Sequence, residues 1–278
     1  MWTSCKGAHS IQKIRNFENS PPKPMFIDTH THYYDEIWSP AEADEAIARA
    51  VAAGVGKMIQ ADVDSLERPH MWEVAKRHEG VLFQMAGLYP GSVKKDWEEE
   101  VEKMLPFVPE AVAIGEIGLD YHEEGAMRKE QQEALKVQFE IASGAGLPVN
   151  IHLRDATEDF LKVLSECRHL GLRGNLHCFG GSWEFFTRVN TFGDFSVGIG
   201  GVVTFKNASL AETVRKIPLE KIVLETDCPY LAPVPYRGKR NESAYIPLIA
   251  EKIALQKGID IEEVEAVTTA NAQKLFGI

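Results

Sequence analysis

Two histidines two residues apart, His30 and His32, close the first apolar run of the chain, in IDTHTH at 27–32. On an extended strand such residues point to one side, so both imidazoles can converge on one ion. Further residues able to bind metal close later runs: Glu116 between Gly115 and Gly118, then His152, His177 and Asp227. A single buried histidine is usually a hydrogen-bonded core residue. Four of them with two carboxylates, all at equivalent places, form a set. One catalytic zinc needs three protein ligands and a water, so this set suits two divalent ions about 3.5–4 Å apart. With no thiolate in the set, zinc, manganese and magnesium are all admissible.

Those residues need a frame that gathers them. Short apolar runs at 25–30, 57–62, 81–87, 111–118, 148–152, 174–179, 194–200 and 221–227 read as strands. Helical patterns at 40–54, 65–78, 92–104, 128–145, 155–168, 182–190, 208–215 and 241–257 alternate with them, and a last helix fits 261–275. The seventh unit is the weakest, with a short helix and a glycine-bearing strand. Ser39-Pro40 opens the first helix as cap and first residue, and Gly54 closes it. Alternating strands and helices imply a parallel sheet. An open doubly wound sheet would hold the first, fourth, fifth, sixth and eighth strands apart. Closure into a (β/α)8 TIM barrel puts every strand end on one rim, where this fold keeps its catalytic residues. The expectation is one α/β barrel domain over 25–278, preceded by a short irregular extension at 1–24 that ends in SPPKP.

Composition narrows the class. The chain has 278 residues, 44% hydrophobic and 26% charged, which is ordinary for a globular protein. No apolar run reaches the ~18 residues of a membrane span, and the first residues lack the apolar core of a secretory signal. The four cysteines, Cys5, Cys167, Cys178 and Cys228, show no CxxC spacing; a reducing, cytoplasmic setting is expected. Acidic residues outnumber basic ones by 41 to 30, a formal charge of −11. Sequence-indifferent coating of nucleic acid is thereby disfavoured, while local contact with phosphates is not.

IDTHTH at 27–32, GEIGLDY at 115–121, NIHLRDA at 150–156, NLHCFGG at 175–181 and LETDCPYLAP at 224–233 together resemble the TatD-type metal-dependent hydrolases, barrels of the amidohydrolase superfamily with deoxyribonuclease activity. RGKRNESAY at 237–245 and TTANAQKLFG at 268–277 are similar to the same family. The resemblance implies that His30, His32 and Asp227 hold one metal, His152 and His177 the other, and that Glu116 bridges them. It implies a hydroxide between two divalent ions attacking phosphorus in line, with Asp227 accepting its proton. DNA is then the substrate, an exonuclease the expected mode, and no obligate protein partner is implied. One departure touches substrate contact: relatives commonly carry Gly-(Ile/Val)-His-Pro-His where this chain has Gly87-Leu88-Tyr89-Pro90-Gly91.

Other residues have a role and a plainer alternative. Glu225 faces the same side as Asp227, one layer deeper; a hydrogen bond to a metal-binding histidine would relieve its burial. Asp28 poses the same question beneath His30. Arg154, two beyond His152, can grip a phosphate with two prongs or pair with Asp155. Lys206 and Arg237, with Lys239 and Arg240, lie on the loops after strands seven and eight, the usual phosphate side of such barrels, or else form a solvated face. Cys178 and Cys228 read as packing residues, and His122 as a residue near the mouth. Two rival functions remain: hydrolysis of an amide, lactone or aminoacyl ester by the same centre, and a non-catalytic, nucleic-acid-associated barrel.

Overall fold

The computed structural model describes residues 25–206 and 210–278; the extension expected at 1–24 lies outside them. Eight strands form: Phe26–Thr31 (β1), Val55–Gln60 (β2), Leu82–Gln84 (β3), Ile114–Asp120 (β4), Val149–Arg154 (β5), Arg173–Leu176 (β6), Asp194–Ile199 (β7) and Ile222–Leu224 (β8). Between and after them run Pro40–Ala52 (α1), Arg68–Arg77 (α2), Trp97–Met104 (α3), Arg128–Ala145 (α4), Thr157–Glu166 (α5), Trp183–Val189 (α6), Leu210–Lys216 (α7), Ile246–Lys257 (α8) and Ile261–Phe276 (α9).

All pairings are parallel, in two sheets ordered β1-β2-β3 and β4-β5-β6-β7-β8. The sheets meet at two seams. At one, Thr31 bridges Cys228, His32 N donates to Cys228 O at 2.8 Å, and Asp227 N donates to His30 O at 3.0 Å. At the other, Ala86 bridges Ile114 and Gly115 N donates to Ala86 O at 2.9 Å. The strand order therefore closes on itself as the expected (β/α)8 barrel.

Parallel strands are covered on both sides, which is why they read as apolar runs rather than alternations. Leu135, Phe139 and Ala142 of α4 recur at helical spacing and are buried, as are Ala46, Ile47 and Ala50 of α1. Ser39 and Glu42 cap α1 reciprocally. The end of the barrel at which the strands begin is closed by α9. Its Ala272 and Phe276 pack with Ile27, Ile59, Met85 and Val223, and Asn271 donates to Leu219 O and Ile222 O, both at 2.8 Å. The opposite end stays free for a site. Among the described residues no helix is long and apolar enough to cross a membrane.

Some boundaries move. Helix α2 begins at Arg68 and α8 at Ile246, because Pro69 and Pro247 fit only a first turn. Residues Pro90–Ser92 make a 3₁₀ turn, so α3 starts at Trp97. The seventh strand keeps six residues, whereas β3 and β8 have three each. Strand β3 is short for a visible reason. Asp62 N donates to Gly115 O at 3.2 Å and Glu116 N to Asp62 O at 3.0 Å, so the chain beyond β2 reaches β4 directly.

Candidate metal centre

The six donors all meet, but at different depths. His32 and His177 lie just past β1 and β6, and Asp227 lies beyond β8. Glu116 is inside β4, whose pairing with β5 continues through Gly118↔His152 to Asp120↔Arg154. The glycines beside Glu116 permit this. A Cβ on Gly118, at φ 151°, would fall 1.8 Å from His152 O, and one on Gly115 would fall 2.6 Å from Asn150 Cβ. Asp227 itself is left-handed at φ 60°, a conformation costing a side-chain-bearing residue roughly 1–3 kcal/mol. Asp28 steadies the turn. It accepts from Thr226 N at 2.9 Å, Thr226 Oγ1 at 2.5 Å and Ser243 Oγ at 2.6 Å. It is therefore an anchor for the segment holding Asp227, not the partner of an imidazole.

Proton bookkeeping shows what the centre lacks. His30 Nδ1 donates to Asn150 Oδ1 at 2.9 Å. The Tyr34 hydroxyl donates to Ala61 O, so at 3.1 Å it accepts from His32 Nδ1. These partners assign both ring protons to Nδ1, leaving both Nε2 atoms as lone pairs, 3.1 Å apart. Glu116 Oε2 is 3.3 Å from His30 Nε2, and Asp227 Oδ1 is 3.4 Å from His32 Nε2. With both rings neutral, four lone-pair atoms face one another, which is the donor set a cation requires. His30, His32 and Asp227 offer atoms mutually within 4.8 Å, as do His30, Glu116 and His177.

On the other side Glu116 Oε1 lies 2.8 Å from His152 Nδ1 and 3.8 Å from His177 Nε2. The two oxygens of Glu116 thus face different histidine pairs. His152 Nε2 is 2.9 Å from Asp120 Oδ2. His177 Nδ1 is 2.9 Å from Glu225 Oε1, at an angle poor for a hydrogen bond, so this contact acts as a charge pair. Glu225 also accepts from Cys178 N and from Asn175 Nδ2, which relieves its burial. The His30 and His177 rings stack with centroids 3.4 Å apart.

Burial would raise Glu116, but His30, His152 and His177 hold its carboxyl well below the usual range. Burial likewise opposes Asp227, and His177 and His32 pull it down. Against burial, Asp120 and Glu116 raise His152 to about 9, and Glu225 and Asp227 raise His177 to about 10. Burial and the neighbouring His177 lower His30. Carboxylates stay charged, and the cavity is prepared for positive charge.

Asp120, Asn150 and Tyr34 hold His152, His30 and His32, roles that no spacing in the chain announces. Asp120 and Asn150 do lie inside motifs already singled out, and Asn150 is two residues before His152 on β5. Cys178, expected as a packing residue, has its thiol within 4.8 Å of the donor atoms of His177 and Asp227. Burial, then Asp227 and Glu225, push that thiol well up, so it stays neutral. Cys228 is fully buried, as expected. Arg154 ends β5 exposed, and among the described residues no hydrogen bond or ion pair engages its guanidinium; Asp155 meets His122 instead, at 3.0 Å. Arg237 lies over the Phe205 ring at 4.1 Å, beside exposed Lys206, and neither touches the donors. Arg240 turns away to Ile37 O and Glu42, over Trp38.

Closed barrel and converging donors define a metal-dependent hydrolase of the (β/α)8 type. The family model for TatD related DNase matches residues 27–277, and the chain belongs to that family. YabD of Bacillus subtilis, an uncharacterised metal-dependent hydrolase, is 37% identical over 91% of this chain and 100% of its own length. The 3'-5' ssDNA/RNA exonuclease TatD of Citrobacter rodentium is 36% identical over 84% of this chain and 92% of its own. The crystal structure of YjjV, a TatD homologue from Escherichia coli, matches with a TM-score of 0.84 at 26% identity, over 91% of this chain and 98% of its own.

Proposed function

We propose that this hydrolase cleaves phosphodiester bonds of DNA from an end, using two divalent ions. His30, His32 and Asp227 would hold one ion, His152 and His177 the other, with Glu116 offering one oxygen to each. Such ions, when bound, lower the pKa of water and neutralise charge developing on phosphate oxygens. The chain's own residues do the rest. Asp227, an ionised carboxylate, is the base that takes the proton of the attacking water. Glu225 and Asn150 keep the His177 and His30 rings turned toward the centre. Arg154 grips a non-bridging phosphate oxygen, and Lys206 with Arg237 receives the neighbouring phosphate.

The observation that carries the choice of phosphate is Arg154: two residues beyond His152 and exposed, its guanidinium makes no hydrogen bond or ion pair among the described residues. A planar two-pronged donor suits a phosphate. The relatives named 3'-5' ssDNA/RNA exonucleases support the same choice. The test is hydrolysis by metal-reconstituted protein of end-labelled single- and double-stranded DNA, beside a panel of amides, lactones and esters. Shortening of the DNA from one end is expected. Activity confined to the amides, lactones or esters would replace the phosphate reading with its rival, and internal nicking would refute the exonuclease mode.

A further inference from the structure

Tyr89 and Gly91 flank Pro90 on the loop after β3, and the two are fitted to each other. A Cβ on Gly91 would stand 2.4 Å from Tyr89 Cε1 and 3.0 Å from its Cδ1. Only glycine leaves the phenol ring its place. Tyr89 is pinned at the backbone, its N donating to Val63 O at 2.9 Å. The ring meets the His152 ring edge-on, with centroids 5.0 Å apart and planes at 80°. Its hydroxyl donates to Asp120 Oδ2 at 3.2 Å, the oxygen that faces His152 Nε2 at 2.9 Å. Asp120 is held at its other atoms too. Gln131 brackets its backbone with two bonds of 2.9 Å, and His122 N donates to Oδ1 at 2.9 Å.

We propose that Tyr89 is a positioning residue: through Asp120 and through its ring it fixes the rotation of His152, and so aims Nδ1 at the Glu116 side of the centre. The inference rests on the two-ion reading above. An imidazole can turn about its bond to Cβ unless the nitrogen facing away from the ion is held. Asp120 holds that nitrogen of His152, and Tyr89 holds Asp120. Gly91 provides the room in which Tyr89 can do so. Loss of such outer partners typically weakens metal binding by about 10–100-fold. Because Tyr89 acts one contact further out, the expected loss is about 10-fold, confined to the ion that His152 would hold.

The experiment is a Mn²⁺ titration of chelator-treated full-length protein, with free ion followed by electron paramagnetic resonance and coupling between bound ions read from the same spectra. Wild type should take up two equivalents, the second producing an exchange-coupled signal. Tyr89→Phe should bind the first equivalent as wild type does and the second about 10-fold more weakly. Gly91→Ala, which displaces the ring, should show the same selective loss, yet cost nothing further in a Tyr89→Ala background, since both changes act through one contact. Unchanged uptake of both ions by Tyr89→Phe would overturn the inference, as would equal weakening of both, which would indicate general loosening. Wild type that binds only one ion would instead overturn the two-ion reading, and this inference with it.

Discussion

His30 and His32 face each other through Nε2 atoms 3.1 Å apart, each already committed at Nδ1 to an acceptor of its own. As neutral rings, neither has a proton to offer the other. Two lone pairs at that distance, with Glu116 and Asp227 adding negative charge, are stable together only with a positive charge among them.

Metal loading should therefore stabilise the folded chain. At an ion concentration about 100 times Kd the gain is about 2.7 kcal/mol per ion, which for a barrel of this size raises Tm by roughly 5–10 °C for each ion bound. Scanning calorimetry with and without chelator measures it. A Tm indifferent to divalent ions would contradict the proposed centre, and His32→Ala should lose about half of the rise, the share of the ion it would hold.

Glu116 and Asp227 should separate in mutagenesis. Glu116→Ala removes the oxygens facing both histidine pairs, so metal content and activity should fall together. Asp227→Asn keeps an oxygen near His32 but cannot accept a proton; turnover should drop by about 10²–10⁴-fold with metal partly retained. Metal analysis beside kcat decides. A near wild-type rate in Asp227→Asn would remove Asp227 from the role of base.

The raised values of His152, about 9, and His177, about 10, give a pH dependence. In metal-free protein their paired, protonated forms contribute stability that is fully present below the ordinary value of 6.5 and is lost as pH rises through 9 to 10. Ions binding at those nitrogens must displace the protons. Metal affinity should therefore climb over the same interval, and binding near neutral pH should release protons. Calorimetry in buffers of different ionisation enthalpy reads the release; none would mean the imidazoles were already neutral.

Net charge of −11 denies the protein a general attraction for polyanions. Affinity for DNA should rest on the centre and a few cations, so the salt slope of binding by Asp227→Asn should correspond to about two to four phosphates. Arg154→Lys should impair cleavage although charge is kept, because an ammonium lacks the planar fork. A slope reflecting about eight or more contacts would indicate an extended groove.

Strand count and closure were legible because each run has its own apolar signature and because residues two apart share a side. His30 with His32 needs nothing more. Partners across strands were not legible: that Tyr34 serves His32, Asn150 serves His30 and Asp120 serves His152 depends on register and depth. Chain alternation does not encode these, as the continuation of β4 past Glu116 to Asp120 shows. Long side chains were legible least. Arg240 and Arg237 share one basic loop, yet one lies over Trp38 and the other over Phe205, a choice made by which aromatic face lies within reach. Tyr89 could be named as a departure, but its fit to Gly91 emerges only with the loop folded.

The two seams carry a consequence for motion. His30 and His32 belong to the three-stranded sheet, while Glu116, His152, His177 and Asp227 belong with the five-stranded one. Asp227 stands at the Thr31–Cys228 seam and Glu116 beside the Ala86–Ile114 seam. Ions shared among these residues would stitch the staves of the barrel where backbone pairing is thinnest. Amide exchange at His32 and Gly115 should then slow on ion loading far more than exchange within the β5–β6 ladder, so that occupancy of the centre tightens the hoop of the whole barrel as well as arming its chemistry.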